Sequence, residues 1–278
     1  MTGTHSASLS LRFRKAATSP AFWRGVLGIS LFFVTWYLLT AVLKLPRFEK
    51  VPDPLTVVLE WLDPHATRSL FASSYYVDIL YSVGRTYVAF LAAVVLGVGV
   101  GLLMGWSTTI FNFTFPLVEI FRPIPPLSWI PLAIIVLPGT ELPVVYVTFV
   151  AAFFATVMNT ILGVHSIDRK YFLAARCLGA SPLGVLKDVV VPGALPFIFT
   201  GLQIAMGLAW MSLVAGEIIA GQKGLGNYVY QAASLFEYDQ VVMYMFTLGF
   251  LGFISSVLIR RVGKSMMAWE EARRRSKS

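Results

Sequence analysis

The sequence predicts an all-α integral membrane protein with six transmembrane helices. Three observations predict it. Of its 278 residues, 57% are hydrophobic and only 13% charged, with a mean hydropathy of +0.74; soluble domains carry about a quarter charged residues. The charge-free runs are long enough for spans of about 20 residues. The Lys and Arg that produce the net charge of +8 cluster between those runs, the footprint of membrane topology rather than of a phosphate-binding face. A span must satisfy its own backbone hydrogen bonds, so strands are excluded in favour of helices.

The first run, Gly25–Leu43, reads as an uncleaved span, because no small-x-small site follows before Pro46. Residues 46–84 form an outer segment in which VPDPLTVVLEWL is Pro-initiated and helical, placed along the membrane face. Thr86–Val118 is too long for one span. It divides into a span at Thr86–Trp106, a turn at Ser107–Asn112 and the start of a third span near Phe115, which continues through Pro123–Thr140. Leu142–Ile167, Val189–Gly216 and Gln240–Ile259 complete the set. The organisation is therefore an N-terminal segment 1–24, a first span 25–45, the outer segment 46–84, a five-helix core 85–261 containing a loop at 164–188, and a tail 262–278.

Orientation follows from the basic residues. With both termini inside, fifteen Lys and Arg are cytoplasmic and five lie outside, with Arg85 and Arg122 near or within the membrane. The single cysteine, Cys177, excludes an internal disulfide and a CxxC metal site. His5, His65 and His165 form no HExxH-like pair. Gly97, Gly101 and Gly105 make a GxxxG face for close helix approach. No nucleotide loop is present: Met104 occupies the place of a third Gly, and Gly216-x₄-Gly221 meets Gln222 rather than Lys.

The cytoplasmic loop carries the most specific signal. Asp168–Leu178 forms a short helix ending at Gly179, a residue suited to the left-handed C′ position. Ser181 serves as N-cap and Pro182 as the first residue of a second short helix, and Pro192 interrupts that path and starts the next span. Either the pair is an ordinary amphipathic connector or it is a shape that another protein grips.

Its spacing, Ala174-Ala175-x₃-Gly179-x₉-Val189-x-Val191-Pro192, resembles the EAA loop of ATP-binding-cassette (ABC) importer permeases, EAA-x₃-G-x₉-I-x-LP. Leu173 stands where the family has Glu. Further matches are Arg122-Pro-Ile-Pro-Pro-Leu-Ser-Trp-Ile-Pro131, Gly193-Ala-Leu-Pro-Phe197, Thr200-Gly-Leu202 and Gly224-Leu-Gly226. Together they extend the likeness downstream of residue 50 and resemble the nitrate/sulfonate/taurine/bicarbonate branch. The resemblance implies a type I importer (MetI-like) permease fold in a bacterial inner membrane. It implies a homodimer of permeases, two cytoplasmic ATPase subunits that carry the ATP and Mg²⁺, and an external solute-binding protein delivering a small oxyanion. No cofactor is then bound by this chain, which is not itself an enzyme. Residues Ala174, Ala175, Gly179, Ala180, Ser181, Pro182, Val189 and Pro192 form the expected ATPase-coupling loop. Nitrate and taurine or another sulfonate precede bicarbonate as cargo, and aromatic carboxylates or pyrimidine precursors stay open.

The residue chemistry fits anion passage in its own right. Four prolines between Arg122 and Pro131 must distort a helix, and such backbone is tolerated at membrane depth only inside protein or along a cavity. Arg122 supplies a charge and a planar donor fork, unless Glu119 neutralises it as an i,i+3 pair. Candidates for the path are Arg122, Pro125, Ser128, Trp129, Thr200, Gln203, Trp210, Ser212 and Glu217. Interhelical bonding is the competing role for the neutral ones, and helix pairing or gating for Glu217, whose charge would repel an anion. A secondary transporter or anion channel is the rival class. It would predict paired intramembrane acids or inverted repeats, and neither is evident in the sequence.

Overall fold

The computed structural model describes residues 20–43, 46, 48, 50–62 and 75–267. The basic clusters at Arg12–Lys15 and Arg273–Lys277, together with Lys44, Arg47, Arg68, His5 and His65, lie outside the described residues. The chain separates into two compact units, Met1–Thr67 with Phe236–Met243, and Arg68–Leu235 with Tyr244–Ser278. No strand occurs among the described residues.

In the first unit, α1 (Pro20–Tyr37) continues into a π-helical turn at Leu38–Val42. There the Thr40 hydroxyl donates to the Trp36 carbonyl at 2.9 Å, a back-bond of the kind that bends helices. None of the Phe22–Val42 span is buried, as suits a helix that presents Leu, Phe and Trp to lipid. The short helix α2 (Pro54–Leu62) starts where expected. Asp53 caps it by accepting from the amides of Leu55 and Thr56, at 2.9 and 3.1 Å, and from the Thr56 hydroxyl at 2.7 Å. The Thr56 hydroxyl and these amides hold the Asp53 carboxyl below its ordinary value. Trp36 Nε1 donates to the Pro52 carbonyl at 3.0 Å and ties the cap to the span.

The second unit is built on three long helices. Helix α6 (Glu141–His165) packs along both α3 (Tyr75–Trp106) and α9 (Val191–Ile219). Between them lies the main apolar core, with Phe90 and Ala93 from α3, Val144 and Ala152 from α6, and Met206 and Leu213 from α9. The glycine stripe of α3 is the reason for the closeness. A Cβ placed on Gly97, Gly101 or Gly105 would stand 2.9, 2.6 or 2.7 Å from the Cβ of Thr156, Thr160 or Val164, which a real side chain does not tolerate.

Two boundaries differ from expectation, while the break at the prolines falls where it was expected. Helix α3 begins at Tyr75 rather than near Thr86: the charges of Asp78 and Arg85, which end the apolar run in the sequence, are both buried against protein partners. Only Ser107 separates α3 from α4 (Thr108–Phe121), so the expected turn at Ser107–Asn112 is mostly helix. Ser107 is extended and its Oγ caps the Ile110 amide. After Arg122 the prolines break the chain, which bends by 90° and resumes as a 3-10 turn at Pro126–Trp129 and α5 (Ile130–Val136). With that bent pair counted as one span, the apolar helices among the described residues number six.

The chain continues through α7 (Arg169–Cys177), α8 (Pro182–Val185), α9, α10 (Leu225–Ser234) and α11 (Tyr238–Met266). Pro192 does not interrupt the path as expected. A π-helical turn at Leu186–Val190 absorbs it, and the helical run is unbroken from Pro182 to Ile219. The wider turn accommodates a residue that has no N–H to give and a ring in the way.

The packing argument is checked by Gly101→Ala. Overpacking at the α3–α6 seam is expected to cost about 1–3 kcal/mol and to lower the thermal midpoint of the purified chain. Gly99→Ala on the same helix, with nothing within 4 Å of the new methyl, should leave the midpoint unchanged.

Candidate functional site

The loop at 164–188 is shaped by caps. Asp168 accepts from the Lys170 amide at 3.0 Å and opens α7; its contact with Lys170 holds the carboxyl below its ordinary value. Gly179 adopts a φ of 78°. Its amide donates to the Arg176 carbonyl and the Ala180 amide to the Ala175 carbonyl, both at 3.0 Å, so the helix ends in a Schellman motif that needs a left-handed residue. Ser181 then caps α8 by accepting from the Gly184 amide at 3.1 Å, with Pro182 in the first turn. Ala174, Gly179, Ala180, Ser181 and Pro182 are exposed, Ala175, Val189 and Pro192 half-buried. The most exposed apolar side chains of the loop are Leu178 (88%) and Leu183 (76%).

A cavity of about 530 Å³ opens between the Pro-rich bend, α6 and α9. Of the expected path residues the structure brings Arg122, Pro125 and Ser212 to it. Arg122 pairs with Glu119 at 3.1 Å, with both side chains more than 40% exposed. An ion pair so exposed is worth about 0–1 kcal/mol, little enough for an incoming anion to exchange for it. Ser212 donates to the Val147 carbonyl at 3.1 Å.

The other residues are placed elsewhere. Thr200 and Gln203 donate to the carbonyls of Pro196 and Phe199 one turn back along α9, at 2.8 and 3.3 Å. Trp210 Nε1 and the Tyr87 hydroxyl both donate to Ser255 Oγ, at 3.3 and 3.0 Å, joining α9 and α3 to α11. Ser128 is exposed in the bend, and the Trp129 ring lies 5.9 Å from that of Phe121.

Sequence reasoning missed Asn159 of α6, which also lines the cavity. Its Nδ2 donates to the Ala155 carbonyl at 2.8 Å. A Cβ on Gly201 of α9 would overlap the Asn159 Cβ, so the glycine makes the room the amide occupies. The signal was available in principle: an Asn inside an apolar run, opposite a helix that offers a glycine.

Glu217 is fully buried and sits in a network rather than in the cavity. Its carboxylate accepts from Arg85 Nη1 at 2.8 Å, from Ser82 Oγ at 2.8 and 3.0 Å, and from the Gly226 amide at 2.9 Å. Arg85 also forks onto Glu141, with Nε and Nη2 at 2.6 and 2.7 Å from its two oxygens, and donates to the Lys223 carbonyl at 2.6 Å. The remaining amides at the start of α10 are taken by Asp78 and Ser82, which accept from Gly224 and Leu225 at 3.0 and 2.9 Å. Gly224 has a φ of 117°, and a Cβ there would run into the Glu217 carboxylate. The network joins the N-terminal parts of α3 and α6 to the C-terminal end of α9 and the start of α10.

Removing one partner of a buried ion pair costs about 3–5 kcal/mol, whereas an exposed pair is worth about 0–1 kcal/mol. Glu217 is buried and the Glu141 side chain is 51% exposed. Glu217→Ala should therefore lower the thermal midpoint far more than Glu141→Ala. Equal losses would contradict the burial-based ranking.

Comparison with known proteins bears on what this architecture serves. The family of binding-protein-dependent transport system inner membrane components matches residues 93–268. A probable ABC transporter permease protein of Brucella abortus is 36% identical over 236 residues, covering 85% of this chain and 91% of that protein. The taurine transport system permease protein TauC of Escherichia coli is 33% identical, covering 85% of each chain. The nitrate import permease protein NrtB of Leptolyngbya laminosa is 30% identical, covering 78% of this chain and 80% of that one. Among solved structures, the MetNI methionine ABC transporter in an inward-facing conformation aligns with a TM-score of 0.61 at 19% identity, over 68% of this chain and 94% of that one; this likeness is one of fold. Length of match and fold together identify this chain as a member of the ABC importer permeases of the nitrate/sulfonate/taurine family, multi-pass inner-membrane subunits that are not enzymes and that work with separate ATPase subunits and a binding protein.

Proposed function

We propose that this chain is the permease of an ATP-driven importer for a small oxyanion, nitrate or taurine or another sulfonate ahead of bicarbonate. It works as a homodimer with two ATPase subunits, which hold ATP and Mg²⁺, and an external binding protein, with both termini cytoplasmic. Closure of the ATPase pair on ATP draws the two 164–188 loops together and opens the pore outward. Hydrolysis returns it to face the cytoplasm.

The observation that carries this reading is the capped two-helix loop, whose second helix runs without a break into α9. A docked subunit that moves the loop moves a wall of the cavity. Leu178 and Leu183 offer it apolar contact, which suits a dock that has Leu173 in place of the family's acidic residue. Passage of an anion rests on Arg122, the one charged side chain on the cavity wall.

The test is ATPase activity of the purified complex in lipid nanodiscs, with the cognate binding protein and nitrate, taurine, other sulfonates or bicarbonate. One loaded binding protein should stimulate hydrolysis, and Gly179→Asp should abolish the stimulation. A side chain at Gly179 has open space around it, so its cost is the left-handed backbone alone, about 1–2 kcal/mol, and the amount of permease in the membrane should hold. Transport that follows an ion gradient, with no ATPase co-purifying, would sink the proposal in favour of a secondary transporter.

A further inference from the structure

The cavity that carries the proposed function is mismatched to an inorganic anion. Its volume of about 530 Å³ falls within the roughly 300–1,000 Å³ of small-molecule sites. Of the sixteen side chains on its wall, thirteen are apolar, among them Phe154 and Met158 of α6 and Leu208 of α9. A four-atom ion such as nitrate is too small to touch most of this apolar wall, which then adds nothing to its binding. The polar wall consists of Arg122, Ser212 and Asn159, and these are not equivalent. The Ser212 hydroxyl gives its proton to the Val147 carbonyl. Arg122 is held only by an exposed pair with Glu119. Asn159 spends one N–H on Ala155, which leaves its carbonyl oxygen and second N–H available.

We propose that Asn159 is a specificity-determining residue of the path, and that it hydrogen-bonds a polar substituent of an organic anion. The charged end of that anion lies at Arg122 and its apolar body against Phe154, Met158 and Leu208. The inference rests on the reading that the chain passes anions, and it narrows the class from small oxyanions at large to organic anions with an apolar body and a second, neutral hydrogen-bonding group. Gly201 is part of the device. Any side chain there would displace Asn159, so the glycine fixes the amide at the wall.

The probes are nitrate, methanesulfonate, 1-butanesulfonate and 4-hydroxybutane-1-sulfonate. Each is titrated against the complete permease–ATPase complex in nanodiscs, without binding protein, by quenching of tryptophan fluorescence. A buried methylene tightens binding about fourfold, so butanesulfonate should bind at least tenfold more tightly than methanesulfonate, with nitrate weaker still. The hydroxylated probe should bind severalfold more tightly than butanesulfonate. Asn159→Leu should abolish or reverse that preference while keeping the dependence on chain length. Asn159→Ala, too small to clash with Gly201, should do the same and guards against misfolding of the first variant. Equal binding of nitrate and butanesulfonate overturns the inference, and so does an equal loss of both sulfonates in the Asn159 variants; in either case the anion-importer reading stands. If none of the four binds, and proteoliposomes of the whole system take up a neutral or cationic solute instead, the anion reading itself falls and the inference with it.

Discussion

Lipid tails are as apolar as leucine, so helices inside a bilayer gain nothing from leaving water and must hold together through closeness of approach. That constraint explains the choice of residues along α6. Thr156 and Thr160 turn their hydroxyls back to the carbonyls of Ala152 and Thr156, at 2.8 and 2.7 Å. This satisfies the polar atom within the helix and leaves a methyl to face a glycine of α3. On its other side α6 meets α9 in the same manner, through Gly163 against Ala194 and Phe197 and through Gly201 against Asn159. Both contacts lie toward the C-terminal end of α6, on one side of the cavity.

The end of the bundle where α3 and α6 begin is held differently, by charge. Arg85 lies ten residues inside α3, at a place where an unpaired guanidinium would be costly. Two carboxylates and a carbonyl from α6, α9 and the approach to α10 surround it. Glu217 in turn occupies the N-terminus of α10, where free amides favour an anion. Arg85 and Glu217, the buried members, are each the solution to the other's burial, so neither can be exchanged alone. Among the described residues the Pro-rich bend has no comparable ion-pair network: Arg122 there is joined to Glu119 of its own helix.

Much of this was legible in the sequence because it depends on local chemistry. The cap at Ser181, the left-handed Gly179 and the glycine stripe all follow from residue types at short spacing, and the structure has them where they were expected; Asp168, read as the first residue of its helix, is instead the residue that caps it. Helix α3 was read too short because a charge-free run is a proxy for lipid exposure, and Asp78 and Arg85 are shielded by protein instead. The partnership of Arg85 with Glu141 and Glu217 spans 56 and 132 positions, and no periodicity carries information over such distances. Glu119 with Arg122, an i,i+3 pair, was visible for the opposite reason. The π turn before Pro192 escaped notice because a proline signals a break, while the backbone has the cheaper option of widening one turn.

That widened turn matters for how motion would travel under the proposed function. From Pro182 to Ile219 the chain is one helical run, anchored near its C-terminal end by Glu217 and continuous with the 164–188 loop at the other. A run held at one end responds to a push at the other by tilting. At 1.5 Å per residue, Gly201 lies about 24 Å and Pro182 about 52 Å from the pin, so a displacement of the loop reaches Gly201 at roughly half its size. Leu208 and Ser212, nearer the pin, move less. The tilt thus widens or narrows the inner part of the cavity, where Asn159 faces Gly201, more than the outer part. A hinge at Pro192 would have decoupled the loop from the wall. By absorbing the proline in a π turn, the chain keeps the loop and the wall on one helical run.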